Sequence, residues 1–332
     1  MTVHLKQDEP DTSNRLDGMK QGVIGQPISR VEGLAKVTGT APYAAEYPIE
    51  GCVEGVLATA TITRGEILKI DKDSVLGMPG VIAVIDDPRL TTRAAQGTAN
   101  EAPQQSPRTV CYWGQPIALV VAETFEQARD AAKHLAVEYR PDDGAPLSPD
   151  AVQPEEQEDE TVRQGDLVHA MSEAAHSVDV TFTTKGHASA AMEPHAAIAQ
   201  WDGDQLTVHA SLQMLNYNIS ELADAIDLPE EKVRLVSRFV GGGFGSKLGV
   251  SEETVAAAIA AMQLERPVRV VMSRQQVFQC IMRRSETTQR LRLAADQKGR
   301  LTGFGHEALV SNLPGETFAE PVLQSSHFLY AA

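Results

Sequence analysis

The sequence predicts an α/β (α+β) protein with more than one domain. Three observations predict it. The apolar run Pro116–Ala122 reads as a strand buried on both faces. Helix signals alternate with β-branched runs along most of the chain. An acidic, proline-rich stretch near mid-chain separates two such patterns. With 332 residues the chain is long enough for two or more domains with substantial cores.

The elements follow in order. Residues 1–24 are polar, with no apolar core or cleavage pattern, and read as a disordered leader rather than a secretion signal. Residues 25–140 read as one α/β domain. Residues 53–62 form a strand, 74–78 a short helix ended by Pro79-Gly80, Val81–Ile85 a second strand and Pro116–Ala122 a third. Thr124 caps a helix with Gln127 as its capping-box partner; the helix runs to about His134 and 135–139 returns as a strand. Strand–helix–strand in that order argues a parallel or mixed sheet. Residues 141–166 hold nine acidic residues, four prolines and one arginine, cannot bury apolar surface, and open a solvated linker that extends to 169.

The second domain spans 170–332. Residues 178–183 alternate as a strand. Residues 196–200 and Leu206–Ala210 flank Asp202-Gly203-Asp204 and form a hairpin. Ile219, Leu222, Ala223 and Ile226 recur at helix spacing, and Pro229 sits in the connection to an apolar strand through Val233, Leu235, Val236 and Val240. After a glycine loop, Ser251 is positioned as an N-cap, with Glu252 and Glu253 in a first turn that favours acids. An Ala-rich amphipathic helix (Val255, Ile259, Met262) follows, ended by Arg266-Pro267. Residues 268–272 are a strand, and 289–294 pair with 301–309 across Gln297-Lys298-Gly299. Arg283, Arg284, Arg290 and Arg292 read as outward arginines on an alternating segment rather than an anion patch. Residues 321–332 read as a domain cut in mid-course.

Composition narrows the function. A net charge of −16 repels polyphosphate and argues against nucleic acid as a partner. Cys52, Cys111 and Cys280 are scattered and make neither a zinc site nor an iron–sulfur cluster. No apolar run reaches membrane-spanning length. His187 and His195 flank Glu193 without a third ligand at useful spacing, so no metal ligand is assigned.

The most informative stretch is Gly241-Gly242-Gly243-Phe244-Gly245-Ser246-Lys247, set between a strand and a helix. Glycines let a backbone approach a ligand closely, and helix N-termini attract anions. A Walker A loop is excluded because Ser246 replaces its second glycine and Leu248 follows the lysine; a Rossmann loop fails at the same serine. The run fits a tight structural turn as well as a phosphate-bearing ligand, and Lys247 is placed either on phosphate or against Glu252 or Glu253.

Several patterns occur in a fixed order: Arg30-Val31-Glu32-Gly33, then 36–43 (Lys-Val-Thr-Gly-Thr-Ala-Pro-Tyr), then 114–122 (Gly-Gln followed by Pro-Ile-Ala-Leu-Val-Val-Ala). Next come Met192-Glu193-Pro194-His195, Ser211-Leu212-Gln213, and the glycine loop. The combination resembles the molybdenum-binding large subunit of the xanthine dehydrogenase/aldehyde oxidase family, most closely its bacterial three-subunit aldehyde oxidoreductases, over residues 25–332. The resemblance implies an α/β-hammerhead domain at 25–140 and the first part of a molybdenum-cofactor domain at 170–332. The implied cofactor is a molybdenum–molybdopterin in the cytosine dinucleotide form. Gly242, Gly243, Phe244 and Gly245 would bind it, and Gln213 would face an oxygen ligand of molybdenum. Leu248 stands where purine-oxidising members carry a glutamate, which favours aldehydes over xanthine.

The implied reaction oxidises aldehydes to carboxylic acids with water as oxygen source. Electrons would pass to [2Fe–2S] on a small subunit and FAD on a medium subunit. The family's catalytic glutamate lies in a later segment that these residues do not contain, so no base is named. The chain alone is expected to be inactive, and the rest of the large subunit counts among its partners. The expected compartment is the cytoplasm, or the periplasm if a signal-bearing partner exports the assembly. The competing readings are a non-catalytic fragment, an N-heterocycle or xanthine-type hydroxylase subunit, and a nucleotide-binding enzyme.

Overall fold

The computed structural model describes residues 22, 26–90, 107–146, 148–156, 161–312 and 320–326. Apart from Gly22, the expected leader falls outside them, as do 327–332 of the expected cut end. The chain divides into two compact units, Met1–Ala41 and Pro42–Ala332. In the first, helix α1 (Gly33–Val37) is closed by Thr38, whose hydroxyl donates to the Leu34 carbonyl at 2.8 Å. Its apolar side chains Leu34 and Val37 are exposed.

The second unit begins with β1 (Val53–Thr59), β2 (Gly65–Asp71), helix α2 (Asp73–Leu76) and β3 (Val81–Ile85). The short β4 (Thr109–Val110) precedes β5 (Pro116–Ala122), helix α3 (Phe125–His134) and β6 (Ala136–Pro141). After the acidic segment come helix α4 (Leu167–Ser172), β7 (His176–Thr184), the hairpin β8 (Ala196–Trp201) and β9 (Leu206–Ala210), and helix α5 (Leu215–Ile226). β10 (Val233–Val236) leads to the glycine loop, and α6 (Glu252–Leu264), β11 (Val268–Val271), α7 (Arg274–Cys280), β12 (Thr287–Ala295) and β13 (Leu301–Val310) follow.

Seven strands form the central sheet in the order β10-β9-β8-β11-β1-β5-β3. β10/β9 and β1/β11 are parallel and the other pairs antiparallel, so the sheet is mixed as expected. The expected reason was wrong. The strands flanking α3 do not share a sheet: β5 lies in the central sheet, while β6 pairs antiparallel with β2 in a three-stranded sheet ordered β4-β2-β6. β7, β12 and β13 form a third sheet with β12 in the middle.

Burial explains the placement of β5. All seven of its residues are buried. Alternation sends Leu119 and Val121 into the main core with Val53, Val208, Leu222, Ile259 and Val270. Ala118 and Val120 point the other way, onto Val75, Val84 and Ala131 under α3. Thr124 caps α3 as predicted: its hydroxyl accepts from Gln127 N–H, and the Gln127 side chain accepts from Thr124 N–H at 3.2 Å.

Helix α6 differs from expectation. Its first ten residues are all buried, so it is not amphipathic. Alanines on the faces away from Val255 and Ile259 let it pack against β8, β11 and α5 at once. Ser251 occupies its N-cap without a side-chain cap bond; the Ser251 carbonyl instead takes Thr254 N–H and Val255 N–H. Strands β2 and β4 and helices α1, α4 and α7 are additions to the sequence reading, with α4 straddling the end of the expected linker. β1 ends at Thr59, three residues before its expected end. Among the described residues no helix is long and apolar enough to cross a membrane.

Candidate functional site

The chain from β9 enters the segment Ser211–Gln213 at one end of the central sheet, and the chain from β10 enters the glycine loop beside it. Parallel pairing of β9 with β10 brings the two exits together: Gln213 N–H donates to the Lys247 carbonyl at 2.8 Å.

The loop backbone is held in conformations that glycine favours. Gly242 and Gly245 have φ of +101° and +95°, and Phe244, a non-glycine residue, sits at +53°. Ser246 closes the turn by donating from its N–H (3.0 Å) and its hydroxyl (2.8 Å) to the Gly243 carbonyl. The N–H groups of Gly242, Gly243 and Phe244 have no partner among the described residues. Three consecutive donors are thus left to a ligand or solvent. The Phe244 ring is 70% exposed, so it is not a core residue that anchors the loop.

Gln213 lies against this loop. Its Oε1 accepts from Gly245 N–H at 3.2 Å and Lys247 N–H at 3.3 Å. The carboxamide oxygen is therefore committed to the loop, and the nitrogen has no partner among the described residues. A Cβ on Gly243 would land on the Gln213 carboxamide, so the glycine is required for this close approach.

Leu248 is half-buried beside Gly245. Its backbone is pinned by α5: the Leu248 carbonyl accepts from Asn218 Nδ2 at 2.7 Å, and Val250 N–H donates to Glu221 Oε2 at 3.0 Å. Asn218 and Glu221 are linked at 2.8 Å. Sequence reasoning missed both residues. The available signal was two polar side chains on a helix turn next to apolar Leu222.

Lys247 occupies neither expected position. It is fully buried, and its Nζ donates to Glu193 Oε2 (3.0 Å), the Glu193 carbonyl (3.1 Å) and Ser211 Oγ (2.7 Å). All three ammonium protons are spent inside the protein. Burial holds its pKa below the ordinary lysine range, partly offset by Glu193. Glu252 and Glu253 are instead buried in the first turn of α6. Burial, with Glu252 beside it, pushes Glu253 up to about 7. That helix end therefore carries its own acids and starts five residues beyond Lys247, which removes it from any anion cup at the loop.

His195 is buried with Nε2 3.0 Å from the Ser246 carbonyl, a contact in which the neutral ring donates. Burial holds its pKa low, consistent with that form. His187 bridges Arg284 through the backbone. The Arg284 guanidinium leans toward Gly245 and pairs with Glu320 at 3.4 Å, while Arg290 and Arg292 form cross-strand pairs with Asp179 and Glu307.

The chain has counterparts among known proteins. Residues 151–331 match the molybdopterin cofactor-binding domain, and 38–143 match the aldehyde oxidase and xanthine dehydrogenase a/b hammerhead domain. The aldehyde oxidoreductase molybdenum-binding subunit PaoC of Escherichia coli K12 is 39% identical over 98% of this chain, which spans 45% of that relative. The nicotinate dehydrogenase large molybdopterin subunit of Eubacterium barkeri is 28% identical over 86% of this chain and 69% of its own length. The aldehyde oxidoreductase structure from Desulfovibrio gigas superposes with a TM-score of 0.72 at 25% identity, covering 85% of this chain and 34% of that one. With the hammerhead match at 38–143 followed by the cofactor-domain match at 151–331, the chain belongs to the aldehyde oxidase and xanthine dehydrogenase family of molybdopterin cofactor-binding proteins.

Proposed function

We propose that this chain is the molybdenum-cofactor-binding part of a molybdenum hydroxylase that oxidises aldehydes to carboxylic acids, with water as oxygen source. The observation that carries the reading is the row of unpartnered amides at Gly242, Gly243 and Phe244 beside the Gln213 carboxamide. Directional neutral donors suit an oxygen-rich pterin carrying phosphate, and the missing Cβ atoms leave room for it. Bound there, molybdenum–molybdopterin, in its cytosine dinucleotide form, would supply two-electron redox capacity and Lewis acidity.

The residues then divide the work. The Gly242, Gly243 and Phe244 amides hold and orient the cofactor, and Gly245 keeps the turn open at its positive φ. Gln213, its oxygen occupied by the loop, presents Nε2–H donors toward the metal-bearing end. A neutral donor steadies oxygen there without adding charge. Leu248 supplies an apolar wall. It offers no polar group to a purine, which supports an aldehyde substrate over xanthine.

Electrons would leave through [2Fe–2S] on a small subunit to FAD on a medium subunit, and the remainder of the large subunit would complete the pocket and bring the base. We place the assembly in the cytoplasm. The 39% identity to a molybdenum-binding aldehyde oxidoreductase subunit supports the substrate class. The test is purification of the chain with its associated polypeptides, followed by metal, nucleotide and turnover analysis. Stoichiometric molybdenum, released CMP and aldehyde-dependent dye reduction are expected. A preparation without molybdenum that binds ATP or NAD would overturn the reading.

A further inference from the structure

We infer that Glu193 is a positioning residue that clamps both ends of the glycine loop and thereby aims the Gln213 carboxamide, with Lys247 as its buried counter-charge. The inference rests on the functional reading above and deepens it.

One side chain gathers the loop. Glu193 Oε2 accepts from Gly241 N–H at 2.7 Å, from Lys247 Nζ at 3.0 Å and from Ser211 Oγ at 2.5 Å. The same residue's N–H donates to the Gly241 carbonyl at 3.2 Å, and its carbonyl accepts from Lys247 Nζ at 3.1 Å. Gly241 and Lys247 are the first and last residues of the loop, so both ends are tied to Glu193. Contact is close enough that a Cβ on Gly241 would meet Glu193 Cβ at 2.5 Å, which only glycine avoids. The other carboxylate oxygen, Oε1, accepts from Ala44 N–H at 3.4 Å, linking the loop to the start of the hammerhead-matching segment.

The clamp reaches Gln213 by two routes. Ser211, two residues earlier, accepts from Lys247 and donates to Glu193, which fixes the segment's approach. Lys247 then meets Gln213 directly: its carbonyl takes Gln213 N–H, and its own N–H donates to Gln213 Oε1. With the oxygen turned to Lys247 and Gly245, the carboxamide nitrogen faces away from the loop. Shifting the Lys247 main chain therefore turns the donor that the functional reading assigns to the metal end.

A buried ion pair also needs charge balance, and a charge-balanced double variant separates that need from positioning. The variants are Glu193→Gln, Lys247→Met and the two combined, made in the full chain purified with its native partners. Each single variant is expected to lower the melting temperature by several degrees. The double variant is expected to recover the melting temperature while hydrogen exchange at the bonded Gly241, Gly245 and Lys247 amides stays roughly tenfold faster than wild type and exchange across 196–201 is unchanged. In molybdenum-loaded protein the double variant should lose roughly tenfold in kcat with KM little changed. Wild-type exchange across the loop in the double variant would overturn the proposal, whether or not the preparation holds molybdenum. A wild-type preparation without molybdenum would count against the functional reading alone, because the exchange measurement needs no metal.

Discussion

Substituting Gly243 by alanine probes the contact between the glycine loop and Gln213 with little side effect. Gly243 is buried and its φ lies outside the left-handed region, so the backbone accepts alanine. The three atoms nearest the added Cβ are Gln213 Oε1, Cδ and Cγ. The methyl fits only if the carboxamide swings off Gly245 N–H and Lys247 N–H, giving up bonds of 3.2 and 3.3 Å. At about 1 kcal/mol each these are worth about 2 kcal/mol, and water reaches the exposed glutamine to replace part of that. Alanine returns about 0.5 kcal/mol by restricting the unfolded chain. The net cost of Gly243→Ala is thus about 1 kcal/mol. Gln213→Ala deletes the same two bonds together with every atom the methyl strikes. In that background Gly243→Ala should cost nothing or stabilise slightly, giving a coupling energy of about 1–2 kcal/mol. Urea denaturation of the four proteins measures it. Equal costs for Gly243→Ala in both backgrounds would show that the methyl acts elsewhere and would refute the reasoning.

Glu253 titrates near 7 in the folded protein, against an ordinary 4.5, because burial and Glu252 disfavour its charged form. The folded state then binds its proton more tightly than the unfolded state, so stability falls as pH rises from about 4.5 to about 7 and is flat above. Glu253→Gln should remove that slope and melt higher than wild type at pH 8; an unchanged slope in melting temperature against pH would refute it. Asn218→Ala removes buried bonds to Met214 N–H, Glu221 and the Leu248 carbonyl, and should cost about 2–4 kcal/mol in urea denaturation; a cost under about 1 kcal/mol would mean that α5 does not hold the 248–250 backbone. Leu248→Glu in the active assembly should depress turnover of apolar aldehydes more than of small polar ones, and equal effects on both would remove Leu248 from the substrate wall.

The parts legible in the sequence were those fixed by neighbours along the chain. The capping box of Thr124 and Gln127 and the hairpin at Asp202-Gly203-Asp204 both depend on residues within a few positions of one another, and both form as read. β2 was missed because it is stabilised from afar. It pairs with β6, some seventy residues later, and a bulge between Ile67 and Lys69 breaks the alternation that would reveal it. Helix α6 was assigned one apolar face because alanine is ambiguous: small enough for a surface, it also permits the tight packing that buries the whole first three turns. The candidate site divides in the same way. The glycine run stood out by residue type and Gln213 only through the family resemblance, and they do meet. Asn218 and Glu221 showed only as polar residues beside apolar Leu222, and nothing local named their partners, which lie about thirty residues downstream.

Lys247 shows most clearly what residue type leaves undetermined. A lysine after a glycine loop suggests a hand for phosphate, and in sequence the nearest acids are Glu252 and Glu253. Folding inverts both suggestions. The carboxylate that meets it is Glu193, 54 positions earlier, and with Ser211 it consumes every proton on the ammonium. The α6 terminus that could have drawn an anion is filled by its own buried acids. The nearby cation, Arg284, is paired with Glu320. Under the proposed function the loop therefore offers direction more than charge: three adjacent N–H groups and one carboxamide, beside an ion pair that faces inward. A site built this way discriminates by where a ligand places its acceptors. That separates it from Walker-type phosphate loops, whose lysine reaches the phosphates directly.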